Sequence, residues 1–281
     1  MLEENAGSVG ELIDKTQSIA SVWRPDIIDP QELWFRGQPR KSFELLPGVY
    51  RTNVQRYHFD EASLFVRFKT LAAPLTKRSP ANDWEWYFLA QHYGLPTRLL
   101  DWTNNLLAAA YFAICEAILC DDRLILDDTL QKGRAPSVFD GESPVVWVID
   151  AGTLNKATCG DDNLIHPGGP LTLEYLPEQL ANVKSSANEL PLALLAPRTD
   201  ERIIAQQGVF TVHGHSAKSL ESIASGASSR TPIHLARIVL DRGNLPFLWE
   251  ELQLAGVGRL ALFPDLDSVA AHVKWLLQAA R

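Results

Sequence analysis

Residues 106–119 are the longest apolar run of the chain, interrupted only by Glu116, and a helix of that composition has almost no face to offer water. Such a segment must be buried, so the rest of the chain has to supply elements that enclose it. The run is shorter than the roughly 18 apolar residues of a membrane span, and no other stretch approaches that length, so no membrane association is expected. Asp101-Trp102-Thr103-Asn104, immediately before the run, offers several side chains able to cap its first turn.

The enclosing elements are of both kinds. Apolar residues at helical spacing predict helices over Ser8 to Trp23, Glu61 to Ala73, Asp83 to His92, Pro246 to Gly256 and Leu266 to Ala280. Tyr93-Gly94-Leu95-Pro96 ends the third of these, because glycine suits the residue past a helix and proline soon after cannot continue it. Short β-branched or aromatic runs predict strands over Glu32 to Gly37, Pro144 to Asp150, Gly208 to His213, Ile233 to Asp241 and Arg259 to Phe263. Gly152 to Leu176 reads as loop, Asp121 to Ser143 as an exposed excursion and Ser216 to Pro232 as a mobile connection. No internal repeat divides the chain. The expected fold is therefore α+β: one compact domain over residues 1–281, with a broken mixed or antiparallel sheet enclosed by helices.

Three cysteines, none in a CxxC pair, point to neither a disulfide framework nor a zinc site, and no metal is expected. A reducing, cytoplasmic setting fits, and Met1-Leu2-Glu3-Glu4-Asn5 lacks the basic start and apolar run of a secretory signal. The net charge of −8 argues against a generally basic surface for nucleic acid. Between Arg36 and Arg98, however, ten basic residues face five acidic ones, a segment that either meets an anion or forms a solvated helical face.

Three clusters carry candidate chemistry. In Trp34-Phe35-Arg36-Gly37 an arginine ends an apolar strand, and its guanidinium cannot be neutralised to lower the cost of burial. It needs either a ligand phosphate or carboxylate, with Gly37 and Gln38 beside it, or an internal partner such as Asp101 or Glu85. The run from Gln91 to Thr103 joins two helices and gathers His92, Thr97, Arg98 and Asp101, where backbone N–H groups and Arg98 can hold an anion or each residue can serve a cap, turn or ion pair. Glu201 to Thr211 places Gln206 and Gln207 before a glycine and a strand; glutamine orients hydroxyls well but is a poor general base. Trp84, Trp86 and Trp102 are either core or stacking surfaces for a base. No GxSxG, P-loop, HExxH or GxGxxG pattern appears.

Taken together, Trp34-Phe35-Arg36-Gly37, Pro47 with Arg51, the ordered block from Gln91-His92-Tyr93-Gly94 to Asp101-Trp102-Thr103, Tyr111-Phe112-Ala113, and Arg202 with Gln206-Gln207-Gly208 resemble the FRG domain, over roughly residues 30–215, with 216–281 as a C-terminal α/β extension. That resemblance implies a bacterial or phage protein with a role in antiviral defence or a toxin-like activity. More distantly, Phe35-Arg36-Gly37 is similar to the first-strand aromatic-Arg-Gly signature of ADP-ribosyltransferases, which implies NAD as co-substrate and a protein or nucleic-acid acceptor. On that likeness Arg36, Asp101 and Gln206 are the candidate catalytic residues, and Gly37, Gln38, His92, Thr97, Arg98 and Gln207 are the candidate NAD contacts. The transferases place a glutamate on a late strand where this chain has Gln206 and Gln207, so Glu201 or Asp101 would have to supply the carboxylate. The alternative is a nucleotide or nucleic-acid recognition module without turnover.

Overall fold

The computed structural model describes residues 1–24, 33–51, 60–76, 78–117, 142–182, 185–197, 200–227 and 231–279. In chain order the elements are β1 (Leu2–Ala6), α1 (Val9–Trp23), β2 (Leu33–Gln38), α2 (Gly48–Arg51), α3 (Glu61–Ala72), α4 (Asp83–His92), β3 (Leu99–Thr103), α5 (Leu106–Ala117), β4 (Val145–Asp150), α6 (Ala151–Cys159), α7 (Pro170–Leu173), α8 (Pro177–Asn182), β5 (Leu192–Leu194), α9 (Glu201–Ala205), β6 (Gly208–Val212), α10 (Leu220–Gly226), β7 (Leu235–Leu240), α11 (Leu245–Leu254), α12 (Arg259–Leu262) and α13 (Leu266–Ala279). The strands form one open seven-stranded sheet in the order β1-β7-β4-β2-β3-β6-β5. Only β1 and β7 pair in parallel; the other neighbours are antiparallel, so the fold is α+β with a mixed sheet.

The sheet is weakest at its centre. β2 pairs with β4 at six positions and β3 with β6 at five, whereas β2 and β3 share the single pair Phe35↔Thr103. Register puts Phe35, Thr103 and Gly208 in one row and on one face of the sheet. On that face lie two apolar clusters. One packs α1, α5 and α11 on the β1–β2 half around Phe35, Val146 and Val148; the other packs α3 and α4 on the β3–β5 half around Phe65, Trp84 and Phe210. The opposite face buries Trp34, Trp102 and Trp147 against α6 and α10.

The apolar helix expected at 106–119 is α5, and it lies directly over β2. Gly37 makes that approach possible: a Cβ there would stand 2.0 Å from the Ala109 carbonyl oxygen. Gly94 takes φ +81° just beyond α4, the left-handed conformation that a helix stop requires.

Several expectations are corrected. Leu99–Thr103 is strand β3, not a capping segment, and the cap of α5 is Asn105, whose Oδ1 accepts from the N–H groups of Leu107 and Ala108. Arg259–Leu262 is a helical turn, not a strand. The stretch read as loop after Gly152 contains α6 and α7, and the connection after Ser216 contains α10, whose Leu220 and Ile223 are buried. β1, α2, α8, β5 and α9 are further elements that periodicity missed. The excursion from Asp121 falls almost entirely on residues 118–141, outside the described residues.

Candidate functional site

Where the β2/β3 ladder stops, Arg36 takes over the connection. Its Nη1 donates to the Asp101 carbonyl oxygen at 2.6 Å and stands 3.8 Å from Asp101 Oδ2. Arg36, which lies inside β2 and not at its end, thus joins two strands that share a single backbone pair. Asp101 projects from the middle of β3 with its side chain 56% exposed. Gln91, at the end of α4, donates from Nε2 to Asp101 Oδ2 at 3.0 Å. Thr97 fixes that orientation, because its hydroxyl donates to Gln91 Oε1 at 2.5 Å and so turns the amide N–H groups towards Asp101. One carboxylate is held from two sides while the rest of its surface stays open.

This constellation lies in a cleft of about 430 Å³, within the usual range for a small-molecule site. Phe88, Gln91 and His92 of α4 form one wall and Tyr111, Phe112 and Cys115 of α5 another; Arg202, Ile203 and Gln206 meet Arg259 and Phe263 at the third. Tyr111 is stacked on Trp249 at 5.3 Å, and Phe112 meets Phe263 edge to face at 6.0 Å, so the aromatic walls are braced from behind. Gln206 ties the third wall together, donating from Nε2 to the Leu262 carbonyl at 3.1 Å while its own carbonyl accepts from the Thr103 hydroxyl at 2.6 Å. His92 Nδ1 lies 3.8 Å from Asp200 Oδ1, the carboxylate that caps α9.

The charge of the lining is lopsided. Among the described residues of the lining, Arg36, Arg202 and Arg259 contribute three guanidinium groups, against Asp101 as the single carboxylate. That local excess of positive charge stands out in a chain of net charge −8. The tryptophans are less available: Trp84 and Trp102 are buried, and Trp102 Nε1 donates to the Thr211 hydroxyl.

Of the residues singled out from sequence, Arg36, Gly37, His92, Asp101 and Gln206 line the cleft. Arg98 does not. It is 2% exposed, its Nε donating to Glu61 Oε2 at 2.5 Å and its Nη atoms to the carbonyls of His213 and Tyr175. Burial alone would lower its pKa, but the Glu61 carboxylate beside it holds it above the ordinary value. Thr97 acts through Gln91, and Gln38 is buried between the Glu44 carbonyl and the Trp147 indole. Gln207 shapes the turn before β6 with φ 48° and accepts from the Asn104 N–H. Glu201 is exposed in the first turn of α9, and Glu85 accepts from the Ala81 N–H. The basic segment is likewise dispersed: Lys41 pairs with Glu3, and Lys69 with Asp83 and Glu178. Among the described residues no group of three or more His, Cys, Asp or Glu side chains is placed to hold a metal ion, and no helix is long and apolar enough to cross a membrane.

Two stability predictions follow from this placement. Glu61→Gln keeps the shape and one acceptor oxygen, replaces the other by an amide NH2 and leaves Arg98 buried without a counter-charge, so denaturant unfolding should register a loss of about 2 kcal/mol. A change below about 0.5 kcal/mol would mean that the carbonyl partners suffice. His213, fully buried beyond β6, has its pKa pushed down to about 3, first by burial and then by the charges of Arg98 and Arg36. The unfolded chain therefore binds a proton that the folded one rejects, and stability falls as pH drops from about 6.5 towards 3, by up to about 1.4 kcal/mol for each pH unit. His213→Phe should flatten that slope; an unchanged slope assigns the acid sensitivity to other groups.

Residues 31–121 match the family model of the FRG domain. The matched span supplies Arg36, Gly37, Gln91, His92, Asp101, Tyr111, Phe112 and Cys115, while the α9 and α12 wall lies beyond it. Comparison with curated proteins and with solved structures gives no match.

Proposed function

We propose that the cleft binds NAD and that the protein breaks the bond between nicotinamide and ribose, passing ADP-ribose to water or to a protein or nucleic-acid acceptor. The observation that carries this reading is the convergence of three guanidinium groups and one open carboxylate in a single aromatic-walled cleft. Aromatic side chains suit the base, guanidinium groups the phosphates, and a fixed carboxylate the positive charge that ribose acquires as nicotinamide departs. In the step itself the C1′–N bond breaks with its electron pair leaving on nicotinamide, a nucleophile's oxygen or nitrogen bonds to C1′, and the nucleophile's proton passes to Asp101 or to solvent. Arg36 and Gln91 hold Asp101 in place, so its geometry is set before the ligand arrives.

Nicotinamide release from NAD, followed by chromatography with and without mixed protein and nucleic-acid acceptors, tests this reading. Release over the uncatalysed rate supports it, and intracellular NAD should fall on expression, as expected of a toxin-like enzyme serving antiviral defence. NAD binding should weaken as salt is raised, because the guanidinium charges are partly exposed. Neither release nor binding of NAD would remove the proposal. A second reading has its own support: where the transferase resemblance calls for a late carboxylate this chain offers Gln206, whose amide is engaged with Leu262. Binding of NAD or ADP-ribose without nicotinamide release would make the cleft a recognition site.

A further inference from the structure

Both contacts that hold the Asp101 carboxylate fall on one oxygen: Gln91 Nε2 at 3.0 Å and Arg36 Nη1 at 3.8 Å both approach Oδ2. Among the described residues nothing engages Oδ1, so that oxygen is left for a ligand. An amide can hold a carboxylate only with its N–H side forward, and the sense of Gln91 is decided one step further back. The Thr97 oxygen accepts from the Leu99 N–H at 3.1 Å, and a carbonyl oxygen cannot donate, so the 2.5 Å contact with Gln91 Oε1 must use the single hydroxyl proton. A hydrogen-bond chain therefore runs in one sense from a backbone N–H of β3 through Thr97 and Gln91 to Asp101. Its root is firm. Thr97 is 1% exposed, and its own carbonyl accepts from the Val49 N–H at 3.2 Å, which ties it to α2.

We infer that Thr97 is a positioning residue for Asp101, acting through Gln91, and that Oδ1 is the oxygen Asp101 presents to the ligand. The inference rests on the NAD reading above only for what that ligand is; there, Oδ1 faces the ribose. Turning the Gln91 amide over would set Oε1 against Asp101 Oδ2, acceptor to acceptor, and would leave the buried Thr97 proton without an acceptor. The two costs fall together, so one orientation survives. Remove the hydroxyl and Gln91 keeps its bond to Asp101 but loses what holds it from behind, and the carboxylate is no longer set before the ligand arrives. The arrangement is possible because Leu99 and Asp101, two residues apart on β3, share the face that α4 covers, and Gln91 stands in the last turn of α4. Thr97 itself does not line the cleft. The residue expected from sequence as an NAD contact thus serves the site two hydrogen bonds behind the carboxylate.

Steady-state nicotinamide release from NAD, read together with side-chain amide NMR spectra of the isotope-labelled intact protein, tests this role. Thr97→Val keeps the shape and removes the hydroxyl; kcat should fall about tenfold while KM for NAD changes less than about threefold. Thr97→Ser restores the hydroxyl and should recover most of that loss. In the Asp101→Asn background Thr97→Val should cost less than about twofold, because its effect runs through the carboxylate, whereas a merely structural role would lower the rate by the same factor in both backgrounds. Gln91→Leu, at a half-buried position that tolerates the change, cuts the chain one bond nearer to Asp101 and should give the same loss even if Thr97→Val does not fold. The Gln91 side-chain N–H signals, identified by their absence from Gln91→Leu, should move on Thr97→Val and on Asp101→Asn and return towards the parent position in Thr97→Ser. Equal rate losses in the two backgrounds, a kcat indifferent to Gln91→Leu, or Gln91 signals indifferent to Thr97→Val would each overturn the inference and leave the NAD reading standing. Signals that behave as expected in a protein that releases no nicotinamide would uphold Thr97 as the positioning residue and sink the NAD reading.

Discussion

Gly37→Ala should lower the stability of the protein by about 4 kcal/mol, a fall of roughly 10 °C in Tm for a chain of this size. The added methyl would meet the Ala109 carbonyl oxygen at 2.0 Å and the Ala113 nitrogen at 2.5 Å. Both atoms belong to the backbone of α5, so no rotamer change relieves the contact and the helix itself must lift from β2. Ala108, Ala109, Ala110, Ala113 and Ile114 are all fully buried, and lifting their helix opens the core cluster beneath it. Gly94→Ala is the matched comparison. Gly94 has φ +81° with nothing within 4 Å of a built Cβ, so alanine there meets backbone strain alone, about 1 kcal/mol. Melting curves of the two variants separate the effects; equal small shifts would show that α5 does not rest on Gly37. The glycine that the sequence offered as room for a ligand is room for a helix. That helix also carries Tyr111, Phe112 and Cys115 into the cleft, so Gly37 shapes the site by seating its wall.

The legible parts of the fold are those in which one physical signal dominates. α1, α3, α4, α5, α11 and α13 start and stop within a few residues of the periodic pattern, and β2, β4, β6 and β7 follow their β-branched runs. β3 was hidden because Leu99-Leu100-Asp101-Trp102-Thr103 places a carboxylate and a hydroxyl where a helix cap was wanted; the carboxylate is there because the strand runs along the floor of a cleft. β1 is an edge strand of largely exposed polar residues with only Ala6 buried, so alternation had nothing to act on. α12 reads as β because Leu260-Ala261-Leu262-Phe263 is a short apolar run ending in an aromatic residue, yet the segment is one helical turn, and Arg259 and Phe263 line the cleft. The two arginines of the 91–103 block and the strand motif also looked alike in sequence. Only packing separates Arg36, at the cleft, from Arg98, sealed on Glu61. Arg259 gave no signal at all, because the other residues lining the cleft lie far from it in the chain and nothing local joins them.

Asp101→Asn should reduce nicotinamide release from NAD by about 10²- to 10³-fold, equivalent to about 2.7–4 kcal/mol of transition-state stabilisation, while changing NAD affinity by less than about threefold. The substitution keeps the shape of the side chain, and the Arg36 bond to the residue-101 carbonyl does not involve the side chain at all. The sheet seam should therefore survive, and the Tm of the variant should stay close to that of the parent. What is lost is the negative charge facing the ribose, the one feature of the lining that a neutral amide cannot copy, since Gln91 and Gln206 already supply amides without supplying charge. Gln206→Glu offers the complementary measurement. Glutamate there would lose the donation to the Leu262 carbonyl and set a carboxylate against that oxygen, so it should loosen the third wall and lower turnover, in the parent and in Asp101→Asn alike. If turnover instead survives Asp101→Asn unchanged, the carboxylate has no part in bond cleavage, and the charge pattern of the cleft supports binding alone. The cleft would then hold a nucleotide that the protein reads and does not consume.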